Sequence, residues 1–447
     1  MRDTGADFDV VVIGGGVAGL AAAGELARAG LSVVLLEARD RLGGRVFTLH
    51  DDSHPLPVEL GAEFVDVPGP AFDAIRAAGG AAYRSAGGQW ELDAGTAKPI
   101  DLNGVVEQVL GKLNPPPERD QPFLAFLDEC CPGLREHERD LAIRYVEGFH
   151  ASEAGRVGVQ WLAKTTGESG GGGGAVRHHP LGGFGLAVQG LGAALGERCE
   201  VRLGRVVTSV DWSPGSVRIS CSRSEAQTEP ETICARCAII TVPLGVLQAE
   251  EGAPGAIRFS PDVPETRDAA RCLEMGHVVK LTLRFREAFW EDSLDFGKGE
   301  GAGEEHKFFM SAQPVPAWWT YSPVVAPVLI GWAGGGQALR LMEHGGDPVG
   351  PALDSLAAIT GVGREKVEAQ LEDWHWHDWS RDPFARGAYS YVPAGALPAQ
   401  EALGRPVSGT LFFAGEATST DGWNGTVDGA IHTGRRAASE ALRSLQG

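Results

Sequence analysis

Residues 8–40, FDVVVIGGGVAGLAAAGELARAGLSVVLLEARD, constrain the fold more than any other stretch of this chain. A β-branched run, Val10 to Ile13, leads through Gly14-x-Gly16-x-x-Gly19 into an alanine-rich segment, and then into a second apolar run ending at Glu37. Strand, glycine turn, helix and second strand make a βαβ unit of the kind that binds a dinucleotide. Gly14 permits the tight turn, Gly16 lets the backbone approach a pyrophosphate, and Gly19 allows the helix to pack on the sheet. The free N–H groups of the helix start, around Ala18, then face the phosphates. Glu37 follows Gly14 by 23 residues, near the interval of about 20 at which a carboxylate meets a ribose hydroxyl and repels a 2′-phosphate.

Three further stretches stand out. RLGGR, Arg41 to Arg45, adds a turn at Gly43 and Gly44 and a guanidinium, Arg45, that can form two parallel bonds to phosphate oxygens. Near the other end an apolar strand, Leu411 to Phe413, delivers Ala414, Gly415 and Glu416 to a strand end, and from Thr426 onward the chain reads as a helix. The run HVVKLTLRF, residues 277–285, alternates like a strand, with Val279, Leu281, Leu283 and Phe285 on one face and Val278, Lys280, Thr282 and Arg284 on the other. Periodicity alone sends Lys280 to solvent, because lysine is almost never buried without a partner.

At 447 residues the chain exceeds what one hydrophobic core serves, so two domains are expected. A formal net charge of -20 argues against nucleic acid and against an anionic membrane surface. No segment offers about eighteen consecutive apolar residues, and MRDTGADFDV is too polar for a signal sequence, so a soluble cytoplasmic protein is expected. Seven cysteines form an odd set without the spacing of a disulfide framework. Cys234 and Cys237 read C-x-x-C, yet they lie in an apolar, strand-like segment with no second pair, and buried thiols are expected. His178 and His179, and His375 and His377 in WHWHDW, lack a partner cluster in the sequence, so no metal site is expected.

The βαβ unit, RLGGR, VELGAEF (58–64), TVPLGVL (241–247), KLTLRFREAFW (280–290), DPFARGAYSYVPAG (382–395) and LFFAGEATSTDGWNGTVDGAIHTGRRAA (411–438) together resemble the flavin-containing amine oxidases. That family includes monoamine oxidases, polyamine oxidases and histone lysine demethylases, with L-amino-acid oxidases as relatives. The resemblance implies an α/β fold in which a Rossmann-type FAD-binding domain (1–70, 185–275, 385–447) is interleaved with a mixed α+β substrate domain (71–184, 276–384). It implies FAD contacts at Gly14, Gly16, Ala18, Gly19, Glu37, Arg39, Gly43, Gly44 and Arg45, and a flavin-side passage of Gly61, Ala62, Glu63 and Phe64. Val207 would meet the adenine, Trp379 would pack near the ring, and Gly415, Glu416, Thr426 and Val427 would close the ribityl and pyrimidine side.

By the same matching Lys280 is the catalytic lysine that reaches flavin N5 through a water. Tyr389 forms one wall of an aromatic cage, Thr426 falls at the other wall position, and Trp423 is expected to supply the missing aromatic surface. Ala388 stands where the mitochondrial monoamine oxidases carry their flavin-linked cysteine, so FAD is expected without a covalent bond. The activity implied is hydride transfer from the α-carbon of an amine to N5, with oxygen as acceptor and hydrogen peroxide released. Asp66-Val67 departs from the histidine-glycine pair of many polyamine oxidases. An L-amino-acid oxidase is an alternative, its carboxylate clamp coming from Arg76 or Arg144. An FAD-binding scaffold without turnover is another, a lipid desaturase a weaker one, and self-association as a homodimer stays open. The pentaglycine Gly170–Gly174 reads as a surface loop.

Overall fold

Val10–Ile13 and Val33–Leu36 are buried on both faces, as parallel strands covered by helices must be. The computed structural model describes residues 6–166, 177–223, 231–296, 306–343 and 346–446, so the pentaglycine lies outside the described residues. The fold is α/β. Strand Phe8–Ile13 pairs in parallel with Val33–Leu36 on one side and with Glu231–Ile240 on the other. Cys199–Arg202 extends the sheet beyond Val33–Leu36, and Leu411–Phe413 runs parallel to Ala238–Ile240. The antiparallel ribbon Arg205–Ser213 and Ser216–Arg223, with Arg258–Ser260, completes eight strands. All eight come from stretches 1–70, 185–275 and 385–447.

The helix Val17–Arg28 lies against the carboxyl-terminal helix Val427–Gln446, and the two share one apolar core with the first sheet. Their approach is close: a Cβ on Gly434 would stand 2.1 Å from the Ala18 carbonyl oxygen. Gly434 permits this crossing because backbone meets backbone there and leaves no room for a side chain.

A second sheet of seven strands runs in the order Leu371–Trp376, Val278–Phe285, Val328–Gly334, Ala317–Trp319, His306–Met310, Gly88–Asp93 and Thr96–Pro99. Its strands come from stretches 71–184 and 276–384. Val279, Leu281, Leu283 and Phe285 pack into a core completed by the helices Gly336–Glu343, Val349–Thr360 and Arg364–Gln370. The alternate positions Val278 and Lys280 face a cavity of about 570 Å³ whose walls also include the first sheet's glycine turn. Thr282 is buried as well, so the face expected in solvent is largely enclosed. A third core joins the helices Leu102–Leu110, Phe123–Cys130, Glu136–His150 and Val159–Thr165. Among the described residues no helix is long and apolar enough to cross a membrane. All seven cysteines are free, with Cys237 buried and Cys234 half-buried.

Candidate active site

The turn after strand Phe8–Ile13 is built around Gly14, whose φ of +108° is open to glycine and strained for other residues. Gly16, at the start of helix Val17–Arg28, faces open space: a Cβ there would meet nothing within 4 Å. Gly19 has no exposure to the cavity and works as packing, since a Cβ on it would lie 1.9 Å from the Gly14 carbonyl oxygen. Glu37, at the end of strand Val33–Leu36, is held by its neighbours. Its Oε2 accepts from the Gly15 N–H at 2.6 Å and its Oε1 from the Arg39 N–H at 2.9 Å. Arg39 in turn reaches Asp382 at 2.7 Å, which also meets His377 Nε2 at 2.9 Å. Together these contacts hold the Asp382 carboxyl well below its usual range against the upward push of burial.

Across the cavity Glu416 is buried in a web of donors. Ser390 Oγ donates at 2.7 Å, the Gly425 N–H at 3.0 Å, Asn424 Nδ2 at 3.1 Å and Arg45 at 2.9 Å. Arg45 also donates to the Ala388 carbonyl at 2.8 Å. The network ties the RLGGR turn to the carboxyl-terminal motif through one carboxylate. Thr426 sits at the foot of the terminal helix, where its hydroxyl accepts from the Gly429 N–H at 2.9 Å.

Lys280 points into this cavity and is only 6% exposed. Its ammonium lies 2.5 Å from Glu63 Oε2 and donates to the Gly61 carbonyl at 3.1 Å. Glu63 Oε1 accepts from Trp319 Nε1 at 2.8 Å and stands 3.5 Å from His179 Nδ1. Burial pushes the Glu63 carboxyl up, but the Lys280 ammonium and His179 outweigh it and hold the group below its usual range. Nearby Glu59 goes the other way: burial pushes it up to about 7, despite Lys280 and donors from the Phe184 N–H and Thr48 hydroxyl. Tyr389 donates to the Phe149 carbonyl at 2.6 Å, and burial raises its phenol.

Every cofactor-side candidate except Gly19 lines the cavity, including Ala18, Gly43, Gly44, Ala62, Phe64, Val207, Trp379, Gly415 and Val427. Lys280, Tyr389 and Thr426 line it too. Trp423 does not: its ring packs against His432, centroids 6.1 Å apart, and the expected aromatic surface comes from elsewhere. Tyr145, Phe149, Phe308, Trp319 and Trp332 supply it. No periodicity marked these five, because they converge from four separate elements. Of the two arginines expected as a carboxylate clamp, Arg144 lines the cavity and Arg76 does not. Arg76 is exposed on helix Pro70–Ala77, and Arg144 is engaged by Asp140 and the Ser311 carbonyl. Arg177 also lines the cavity, its guanidinium between the rings of Phe64, Phe149 and Phe308 at 5.2–5.3 Å. His375 is also not isolated, since it lies beside His54 and Asp373.

Residues 17–78 and 112–442 match the family model of flavin-containing amine oxidoreductases. The chain belongs to that family. Polyamine oxidase 3 of Oryza sativa subsp. japonica is 30% identical over 474 residues, covering 98% of this chain and 90% of the relative. Lysine-specific histone demethylase 1 homolog 3 of Arabidopsis thaliana is 28% identical over 511 residues, covering 98% of this chain, which spans 30% of that longer protein. Cyclohexylamine oxidase from Brevibacterium oxydans IH-35A shares the fold, with a TM-score of 0.79 at 22% identity over 99% of this chain and 100% of that one.

This flavin-containing amine oxidoreductase therefore uses FAD, and its residues fit that group. The open approach above Gly16 suits a pyrophosphate, Glu37 suits a ribose, and the cavity continues unbroken to Lys280. Ala388, the position from which an unlinked flavin was expected, occupies the cavity wall beside Arg45.

Proposed function

We propose that the protein oxidises a small amine whose nitrogen docks between Tyr389 and the ring wall, with Lys280 governing the reacting face. The observation that carries this reading is a buried lysine, paired with Glu63, in the same cavity as the dinucleotide turn. When bound, FAD supplies the acceptor for the α-carbon hydride and passes the electrons to oxygen, so the products are an imine, hydrolysed to a carbonyl and ammonia or a smaller amine, and hydrogen peroxide. We assign FAD binding to segments 1–70, 185–275 and 385–447 and substrate binding to 71–184 and 276–384.

The chain's own groups divide the remaining work. Tyr389 and its aromatic neighbours exclude water and favour the neutral amine that the chemistry requires. The Lys280 ammonium, fixed by Glu63 and the Gly61 carbonyl, has a proton to share with a water on the cavity side. Thr426 caps the terminal helix, whose positive end lies toward the site and stabilises negative charge there. The relatives' names span polyamines, a cyclic amine and a methylated lysine side chain, so the test is a panel. Aromatic amines, polyamines, cyclic amines and amino acids are screened for peroxide release and for anaerobic bleaching of the flavin. Bleaching by an amine is the expected result. A panel that leaves the flavin oxidised throughout would leave only the scaffold reading.

Arg177 favours a second reading, in which the amine also carries a carboxylate. Its guanidinium lines the cavity and makes no ion pair among the described residues. An unpaired guanidinium in a mostly apolar chamber is suited to bidentate capture of a carboxylate. Under this reading Arg177→Met raises KM for amino acids at least tenfold and leaves the corresponding decarboxylated amines unaffected. Equal effects on both classes would remove it.

A further inference from the structure

Away from the cofactor cavity, two imidazoles converge on one carboxylate oxygen. His54 lies in the connection between strands Thr48–Leu49 and Val58–Glu59, and Asp373 and His375 alternate on the edge strand Leu371–Trp376. Residues two apart on a strand share a face, which brings Asp373 and His375 together beneath the connection. His54 Nε2 stands 3.4 Å and His375 Nε2 3.3 Å from the same Asp373 Oδ2. Asp51 Oδ2 lies 3.9 Å from His375 Nε2. None of these residues lines the FAD cavity.

The two nitrogens share a feature that ion pairing does not explain. Each Nε2 is buried, and neither has a hydrogen-bond partner. His54 is 8% exposed, so its orphaned nitrogen has no ready access to water. The rings sit 4.9 Å apart at 61°, edge to face, a contact that positions the imidazoles and leaves both nitrogens without a hydrogen bond. The neighbouring Arg284 guanidinium does not take the carboxylate either. Arg284, opposite Asp373 in the sheet register, is engaged by Glu372.

The distances suit a metal ion. The three donor atoms all lie within 4.8 Å of one another. Tetrahedral bonds of about 2.05 Å would set ligand atoms roughly 3.3 Å apart, which is the separation of each nitrogen from Oδ2. Two neutral imidazoles and a carboxylate select borderline ions such as zinc over magnesium or calcium. We propose that His54, His375 and Asp373 bind a divalent transition metal of the zinc type, with the fourth position left to water. Such an ion would staple the chain leading into Gly61–Phe64 to the strand leading into Trp379, two segments that meet at the cavity wall where Trp379 Nε1 donates to the Leu60 carbonyl at 2.8 Å.

The experiment uses untagged FAD-loaded protein dialysed against a chelator and then back-titrated with zinc chloride by calorimetry, with bound metal counted after gel filtration. One zinc per chain and a zinc-dependent rise in Tm are expected. His375→Ala and Asp373→Asn should each weaken binding at least tenfold while flavin absorbance and metal-free amine turnover stay as in the parent. His137→Ala, at a surface histidine elsewhere, should bind as the parent does. His375 is partly exposed, so its variant tests the site even where a change at buried His54 impairs folding. Substoichiometric zinc, undiminished binding in His375→Ala, or equal displacement by magnesium would each overturn the proposal.

Discussion

At the scale of single residues, the strand lysine is the instructive case. Alternation correctly separated Lys280 from Leu281 and Leu283, but it could not say that the second face of this strand is enclosed, since that depends on a sheet built from distant segments. What stabilises Lys280 inside is Glu63, from a stretch 217 positions earlier. Removing one partner of a buried pair leaves the other uncompensated, at a cost of about 3–5 kcal/mol. Lys280→Met should therefore lower Tm as well as slow flavin reduction. Lys280→Met combined with Glu63→Gln should recover most of the Tm and none of the reduction rate, by calorimetry and stopped flow. A double variant that regains both would show that Lys280 acts only in folding. The neighbouring Glu59 gives a pH signature. Its carboxyl is raised from 4.5 to about 7 by burial, so between those values the folded chain keeps a proton that the unfolded chain releases. Stability from this group is full below pH 4.5 and lost as pH rises through 7. Glu59→Gln should be more stable than the parent at pH 8, by up to about 3 kcal/mol, and the difference should vanish near pH 4. A pH-independent gap in thermal melts would count against it.

At the scale of elements, the sequence was most informative where periodicity and turn chemistry agreed. The βαβ unit, strand Val278–Phe285 and strand Leu411–Phe413 all lie where glycine spacing and alternation put them. The terminal helix begins at Val427, one residue beyond Thr426, and that offset changes the role Thr426 plays. Expected as a cage position, it also caps the helix through the Gly429 N–H. Thr426→Ala should cost about 1 kcal/mol and Thr426→Ser should be near neutral, measured by chemical denaturation of the holoenzyme. Equal losses in both variants would show that the methyl group, not the hydroxyl, carries the contribution. Trp423 was misplaced for a related reason. The segment Ser419–Thr426 has turn residues and no periodic pattern, so nothing in it reports which way an aromatic ring points. Arg177 and the aromatic wall were not legible because Tyr145 and Phe149 share one helix while Phe308, Trp319, Trp332 and Arg177 each come from another segment, and only tertiary convergence gives them a common address.

At the scale of the whole molecule, the cofactor turn depends on contact between the two ends of the chain. The amino-terminal helix Val17–Arg28 is pressed on Val427–Gln446, whose loop side carries Glu416 to Arg45. Local motifs announced both halves of this arrangement, while their contact followed from resemblance, because no pattern within either motif encodes a partner some 400 residues away. Gly434 makes the dependence testable. A Cβ there would overlap the Ala18 carbonyl at 2.1 Å, a backbone atom that cannot swing aside as a side chain would. Gly434→Val should push the helices apart and shift the turn formed by Gly14 and Gly16. Purified variant is expected to have an FAD-to-protein ratio well below that of the parent and a lowered Tm, with part of the Tm regained in excess FAD through binding to the folded state. A distant variant with matched helix propensity, Gly350→Val in helix Val349–Thr360, has open space around its Cβ and should keep full FAD content. Retention of FAD by Gly434→Val at the parent's level would mean that the crossing holds the fold together without shaping the cofactor turn.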